Sequence, residues 1–539
     1  VVRIRPYFLQ KGGRFMSITR RHFLNRVALV GGYTATFSAL QALGMMPRAQ
    51  ASTLPSLSAD FGKGRKVVII GGGIAGLVSA YELRKAGFEP IVLEASARPG
   101  GRNWTARNGT RLEFVDGTKQ ECTWDDGQYF NMGPARLPSI HTHVLNYCQE
   151  LGVELEVEIN TSRSTLMQSD AMNGGKPVEQ RRVIHDTRGY LAELLAKAVD
   201  RHTLDDLLTA DDLEKLRFLL KQFGDLNDKM TYTGTERGGY AVSRAAGTVA
   251  PKFNTPLPLS ELLAADMTKG ELYEEHIDWQ ATMFQPVGGM DRIPYAFAAS
   301  LGDIVQYGAP VKEIRNTGKG VSVIYAKDGK PVKIEADFCI CTAPAPILKG
   351  IKGLSKETLA AAATIKASPL YKIAWEAPRF WEKENNIYGG ISFLKQTVDL
   401  VWYPSAKLFS QKGVIVAGFN LEQYDDGALT DFGKLGSMDA KLAASRKAVE
   451  ILHPGHGKDL AKPLYINWAQ IPWQLGCVGQ TDLPDAQDAY ARLNQPDGRV
   501  FFAADWLSRL SGWQEGAILS AHSAINGIAA RIGSGAVAA

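Results

Sequence analysis

Gly71, Gly73 and Gly76 stand in G-x-G-x-x-G spacing, and an acidic residue, Glu94, follows 18 residues after the last of them. These residue types at these intervals suit the binding of a dinucleotide. Gly71 permits a tight turn, Gly73 lets the backbone approach a pyrophosphate, and Gly76 lets a helix pack closely on a strand. The first N–H groups of that helix, at Ile74 and Ala75, then face phosphate charge. Glu94 can accept hydrogen bonds from both ribose hydroxyls, which disfavours a 2′-phosphate and so NADP.

The spacing alone is a weak signal, and its context strengthens it. Val67-Val68-Ile69-Ile70 has the length and β-branching of a buried parallel strand. Ile74 to Ala86 has helical composition, Gly87 is placed to stop it, and a second strand, Pro90 to Leu93, ends in Glu94. This is a complete βαβ unit with its acid in place.

Directly after Glu94 comes Ala95-Ser96-Ala97-Arg98-Pro99-Gly100-Gly101-Arg102. L-E-A-x-x-R-x-G-G-R resembles the second FAD motif of the flavin amine oxidases, the monoamine, polyamine and L-amino-acid oxidases and their relatives. The resemblance makes FAD the expected cofactor, with Gly100 and Gly101 passing close to the flavin and Arg102 contacting the phosphates. Gly133-Pro134-Ala135-Arg136-Leu137-Pro138 resembles the G-P-M-R-L-P element of the L-amino-acid oxidases, where the arginine holds the substrate α-carboxylate. A planar guanidinium can grip a carboxylate bidentately, which fixes where Cα lies. Simple amine oxidases have no carboxylate to hold, so Arg136 separates the two branches. Ala135 replaces the usual methionine at a position that offers backbone to the flavin.

Further segments carry the same resemblance. Val500-Phe501-Phe502-Ala503-Ala504-Asp505 is similar to V-F-F-A-G-E, which implies that Asp505 takes a ribityl hydroxyl or a nearby group of FAD. Ser511 to Ala517 resembles H-G-W-I-D-S, which sets Gly512 and Trp513 at the flavin ring with Trp513 walling the substrate cavity. Leu370 to Trp375 resembles the strand carrying the family's flavin lysine, so Lys372 would hold a water against the reactive flavin nitrogen. A lysine buried beside a cavity has a lowered pKa. Val311 fits the valine whose backbone binds adenine, Trp468 a tryptophan packed near the flavin, and Val478 an apolar contact to the substrate side chain. Trp506 to Ser511 contains no cysteine, and the resemblance on this point implies non-covalent FAD.

Two departures stand out. The family's second carboxylate partner is a tyrosine in I-I-A-Y-G, and Val414-Ile415-Val416-Ala417-Gly418-Phe419 puts Gly418 at that place, removing a hydrogen bond and enlarging the cavity. Tyr403 and Tyr371 are candidate replacements. The family's helical-domain histidine is unmatched; Tyr273 falls near it, and His276 lies one turn on.

These residues need elements to carry them. The expected fold is α/β: a Rossmann-type (GR2-like) FAD-binding domain from residues 64–105, 286–366 and 495–535, a strand-rich substrate domain from 106–150 and 367–494, and a helical domain, 151–285. Helices are expected at 139–151, Tyr190–Asp200, Thr203–Leu208, Asp211–Phe223 and Leu259–Asp266, and strands at Ile304–Ile314, Val321–Tyr325 and Ala336–Cys341.

The 539 residues, 45% hydrophobic, suffice for two or three packed domains. The net charge of +5 is small and scattered, without a run suited to nucleic acid. The five cysteines have no metal-ligand spacing; Cys339 and Cys341 alternate on one strand and should share one packed face. Met16 reads as the start of an export signal, residues 16–51, with Arg20-Arg21 as its twin arginines and Ala49-Gln50-Ala51 as its cleavage site. No later segment is long enough to span a bilayer. The expectation is a periplasmic or secreted FAD-dependent oxidase of L-amino acids with apolar or aromatic side chains, using oxygen and exported by the twin-arginine machinery; the resemblance adds a homodimer, the state family members often adopt. The rival readings are an amine or polyamine oxidase, a flavin dehydrogenase with a periplasmic acceptor, and a non-enzymatic FAD-binding protein.

Overall fold

The computed structural model describes residues 57–204, 207–420 and 428–533. The expected export segment, 16–51, lies outside them.

The βαβ unit forms where the glycine spacing places it. Strand β1 (Lys66–Ile70) leads into helix α1 (Ile74–Lys85), and strand β2 (Glu89–Leu93) returns parallel to β1. Gly87, at φ +81°, follows the helix end, where its left-handed backbone turns the chain. The two strands sit in a five-stranded parallel sheet, ordered 305–306, β2, β1, 338–341, 500–502. Both faces are covered, as hydrophobic parallel strands require. Val67 and Ile69 pack with α1 and the C-terminal helix Gln514–Gly533, whereas Val68 and Ile70 pack with Cys339, Cys341, Val500 and Phe502. Cys339 and Cys341 therefore share one face. The chain crosses to opposite sides of the sheet around β1, so its carboxyl end is a topological switch point, where a crevice opens.

A seven-stranded sheet, ordered 178–179, 166–168, 391–394, 400–402, 412–420, 371–378, 461–467, forms the second layer. Its centre packs into the largest apolar core, with Trp375, Trp381, Trp402 and Tyr403 buried. Within the region expected as the helical domain, 151–285, residues 166–168 and 178–179 form strands that extend this sheet, and 155–158 pairs with 283–286. Strands of two to four residues are too short to show a period in sequence.

The helices of this region are longer or shorter than expected. The first begins at Gln180, ten residues before Tyr190, with Gly189 inside it; a β-carbon there would meet the Tyr232 ring at 2.3 Å, so this glycine marks close packing and not a helix end. Thr209 and Asp212 form a reciprocal capping box that starts Ala210–Gly224. The helix expected at Thr203–Leu208 is replaced by turns at its described residues. Ile304–Ile314 divides into two strands, 305–306 and 311–316, and Lys330–Ala336 adds a strand beyond the expected set. No helix among the described residues is long and apolar enough to cross a membrane.

Gly76 fixes how closely α1 approaches the end of β1, because a β-carbon at this position would lie 1.9 Å from the Gly71 carbonyl oxygen. Gly76→Ala is expected to destabilise the fold by about 1–3 kcal/mol through overpacking. Gly318→Ala, whose β-carbon meets nothing within 4 Å, should stay within about 0.5 kcal/mol. Thermal unfolding of the two variants checks this pair.

Candidate active site

A long cavity opens at the carboxyl ends of the parallel strands, running from the glycine turn of the βαβ unit to Lys372 and Trp513. Its dinucleotide arm is lined by Gly71, Gly73, Ile74, Ala75, Glu94, Ala95, Gly101, Arg102 and Val311, all expected from the sequence. Gly76 stands apart from the lining and acts through helix packing. Helix α1 starts with no side-chain cap and no acid in its first turn, so its leading N–H groups keep their capacity for an anion. A β-carbon added at Gly73 would enter open space, and Gly73 lines the cavity. The Glu94 carboxylate is oriented by the N–H groups of Gly72 at 2.6 Å and Ser96 at 2.7 Å. These features fit a dinucleotide.

Three remote segments meet at the middle of the cavity. Arg102 donates to Asp505 and to the Cys477 carbonyl, and Asp505 accepts from the Gly512 N–H at 3.0 Å. Asp505 thus lines the cavity and also ties down the loop that carries Gly512 and Trp513. Gly133, Pro134 and Ala135 line the same stretch. A β-carbon at Gly133 would collide with the Arg102 carbonyl, so this strand and the arginine loop touch backbone to backbone. Trp468 lies behind them, donating from Nε1 to the Met132 carbonyl at 3.0 Å.

The far end holds Arg136, Lys372, Val478 and Trp513. Lys372 is 2% exposed, which excludes a solvated strand lysine. Its ammonium donates to the carbonyls of Asn131 at 3.0 Å and Gly133 at 2.6 Å. Burial, then the Arg136 charge, brings it down to about 7. Arg136 uses Nη1 to reach Asn160 Oδ1 and the Tyr273 hydroxyl, the latter at 2.8 Å. Its Nε and Nη2 have no hydrogen-bond acceptor among the described residues, so one edge of the fork is left for a ligand. Trp513 meets His141 edge-on at 4.9 Å, and His141 is held by Asp278 at 2.9 Å.

The structure corrects the reading of the missing tyrosine. Gly418 does not line the cavity; a β-carbon there would point at Ile373 and Tyr371. Phe419, opposite Lys372 in the register, lines it, and the Lys372 ammonium lies 4.9 Å from that ring. An aromatic wall therefore replaces the enlarged space expected from glycine, because a register shift beside Lys372 turns the next residue inward. Tyr403 bonds Ser392 and His453 away from the cavity, and Tyr371 stacks on Phe432. Tyr273, bonded to Arg136, is the hydroxyl at the clamp, while His276 is exposed. Sequence reasoning missed Trp279, Leu370 and Cys477, which also line the cavity. Trp279 had no readable signal, since its place depends on stacking against Tyr273 at 4.2 Å.

The family profile for flavin containing amine oxidoreductase matches residues 74–528. An L-amino-acid oxidase of Notechis scutatus scutatus is 25% identical, with 85% of each chain covered. A putative L-amino-acid oxidase of Bacillus subtilis is 24% identical, covering 85% of this chain and 93% of its own. Among solved structures, putrescine oxidase bound to putrescine aligns with a TM-score of 0.56 at 19% identity, over 87% of this chain and 99% of that one. Cyclohexylamine oxidase from Brevibacterium oxydans aligns at 0.58 and 17%, with the same coverage. The solved structures show a shared fold, and the profile spans the dinucleotide arm from Ile74 onward and the far end of the cavity. The chain therefore belongs to the flavin-containing amine oxidoreductase family, whose cofactor suits the dinucleotide arm of this cavity.

Proposed function

We propose that this protein oxidises L-amino acids with apolar or aromatic side chains, using non-covalently held FAD and oxygen, to 2-oxo acids, ammonia and hydrogen peroxide. The observation that carries this reading is the unshared edge of Arg136, facing a cavity that also holds Lys372. The relatives named L-amino-acid oxidases agree with it.

Bound flavin supplies the two-electron acceptor for the Cα hydride. The chain does the rest by position. Arg136 takes the substrate carboxylate on Nε and Nη2, while Asn160 and Tyr273 stop the guanidinium from swivelling. Trp279, Phe419, Val478 and Trp513 offer apolar wall to the side chain and keep water from the reacting carbon. Lys372, with its proton readily lost, holds or moves a proton at Nζ. Water then hydrolyses the imino acid released from oxidation.

A second reading, an amine oxidase in which Arg136 is scaffold, draws on the same bonds to Asn160 and Tyr273. Anaerobic flavin bleaching by L-amino acids and by their decarboxylated amines separates the two. Bleaching by amino acids, with kcat/KM falling roughly 30-fold to over 1,000-fold in Arg136→Ala, supports the clamp, since truncating one partner of a buried charged pair costs about 2–5 kcal/mol. Bleaching by the amines with Arg136→Ala unaffected assigns the second reading. Peroxide yield separates an oxidase from a dehydrogenase.

Lys372 gives a pH prediction. Its group is neutral above about 7, so with Nζ as proton acceptor the flavin-reduction rate at saturating substrate should rise with pH through that value and then level. Lys372→Met should abolish this limb and slow flavin turnover by roughly 10²–10⁴-fold. A rising limb that survives in the variant assigns it elsewhere.

Cys477 lines the cavity, outside the segment on which the non-covalent expectation rested. Burial pushes its thiol up to about 11, so it is not a ready nucleophile. Acid precipitation should leave the flavin in the supernatant; colour retained in the pellet and lost in Cys477→Ser would overturn this.

A further inference from the structure

Glu158 ends the strand Leu155–Glu158, which pairs with 283–286, which pairs in turn with Leu137–Pro138. The register sets Glu158, Met283 and Pro138 in one row. Arg136 immediately precedes Leu137–Pro138, and its charge acts on Glu158. Glu158 is 3% exposed, and neither carboxyl oxygen has a hydrogen-bond partner. Trp402, whose ring lies 5.0 Å from the Arg136 guanidinium, brings its Nε1 near Glu158 without completing a hydrogen bond.

A buried carboxylate with no hydrogen bond is costly unless a cation answers it. Arg136 is that cation, and it acts from beyond ion-pair contact. The other groups nearby are Tyr273 and Tyr129, Glu156 on the same strand face, and Lys372 beyond Arg136. Tyr273 is pushed up by burial, Tyr129 by burial and then Glu156, and Glu156 is bonded to Gln285 at 3.0 Å. Burial raises Glu158 to about 7, with Arg136 opposing.

We propose that Glu158 is the proton-accepting counter-ion of the Arg136 clamp: ionised when the clamp is empty, and protonated when a substrate carboxylate occupies the free edge of the guanidinium. This rests on the reading of Arg136 as a carboxylate site. Two carboxylates on one buried guanidinium would leave a net negative charge in a dry pocket, and proton uptake removes it. Glu158 is a positioning residue, acting through Arg136. Carboxylate affinity then falls as pH rises above the Glu158 titration, so the preference for carboxylated over decarboxylated substrates is strongest on the acid side.

The test uses the flavin-loaded protein and benzoate, a carboxylate without an amine. Calorimetric titrations in two buffers of different ionisation enthalpy count the protons taken up. In wild type, uptake should climb from about half a proton per benzoate at pH 7 toward one proton about a pH unit higher, and Kd should rise about tenfold per pH unit above that. In Glu158→Gln, uptake and slope should both vanish while benzoate still binds. In Lys372→Met, which removes the cavity lysine that titrates in the same range, both should persist. Uptake that survives in Glu158→Gln, or that disappears in Lys372→Met, overturns the proposal but leaves the clamp. No net uptake in wild type also overturns it, without recourse to a variant that must fold. Wild type that shows neither heat nor a flavin spectral change with benzoate overturns the clamp and this proposal together.

Discussion

The interaction on which the rest of the cavity depends is the ion pair of Arg102 with Asp505. The two residues are 403 positions apart, and the guanidinium also holds the Cys477 carbonyl. Asp505 in turn holds the Gly512 N–H. One charged cluster thus closes the glycine-rich turn, the loop of Cys477 and Val478, and the entry to the C-terminal helix around a single space. Charge-assisted bonds with fork geometry set orientation as well as distance, so a loop end that hydrophobic packing alone would leave loose becomes a defined wall.

Around this pair the molecule divides its electrostatics. At the dinucleotide arm the protein leaves donors unanswered: the uncapped start of α1 invites negative charge. At the far end it puts two basic groups, Arg136 and Lys372, into one buried neighbourhood. Burial and mutual repulsion there are relieved by the lysine giving up its proton, whereas a guanidinium has no such escape. The guanidinium keeps its charge and binds; the amine is free to exchange a proton. Similar chemistry in two side chains becomes two roles because a guanidinium is intrinsically far more basic than an amine.

The apolar walls follow from strand pairing. Lys372 and Phe419 are cross-strand partners, so the register that aims the lysine inward also aims the phenyl ring inward. A one-residue irregularity beside them decides that Phe419, and not Gly418, meets the cavity. Motif alignment by letter cannot see such a shift, since the side-chain period of a strand is two and a single slip exchanges its faces. A different limit hid Trp279 and left Tyr273 placed only near the family's unmatched histidine. They lie in short 3₁₀ turns without periodic pattern, and reach Arg136 and the cavity by stacking and one hydroxyl contact.

The sequence by itself determined the βαβ unit, the dinucleotide arm and the residue types at the far end, because those depend on local rules: a turn that only glycine permits, an apolar run that must be buried, an acid at the end of the second strand. It did not determine the short strands 166–168 and 178–179, the wall at Phe419 or the unpartnered carboxyl of Glu158. Those depend on which strands pair and in what register, and on burial, which raises or lowers a charge only once the whole fold has excluded water. Tertiary structure decided them because desolvation and register belong to the assembled layers and not to any one segment.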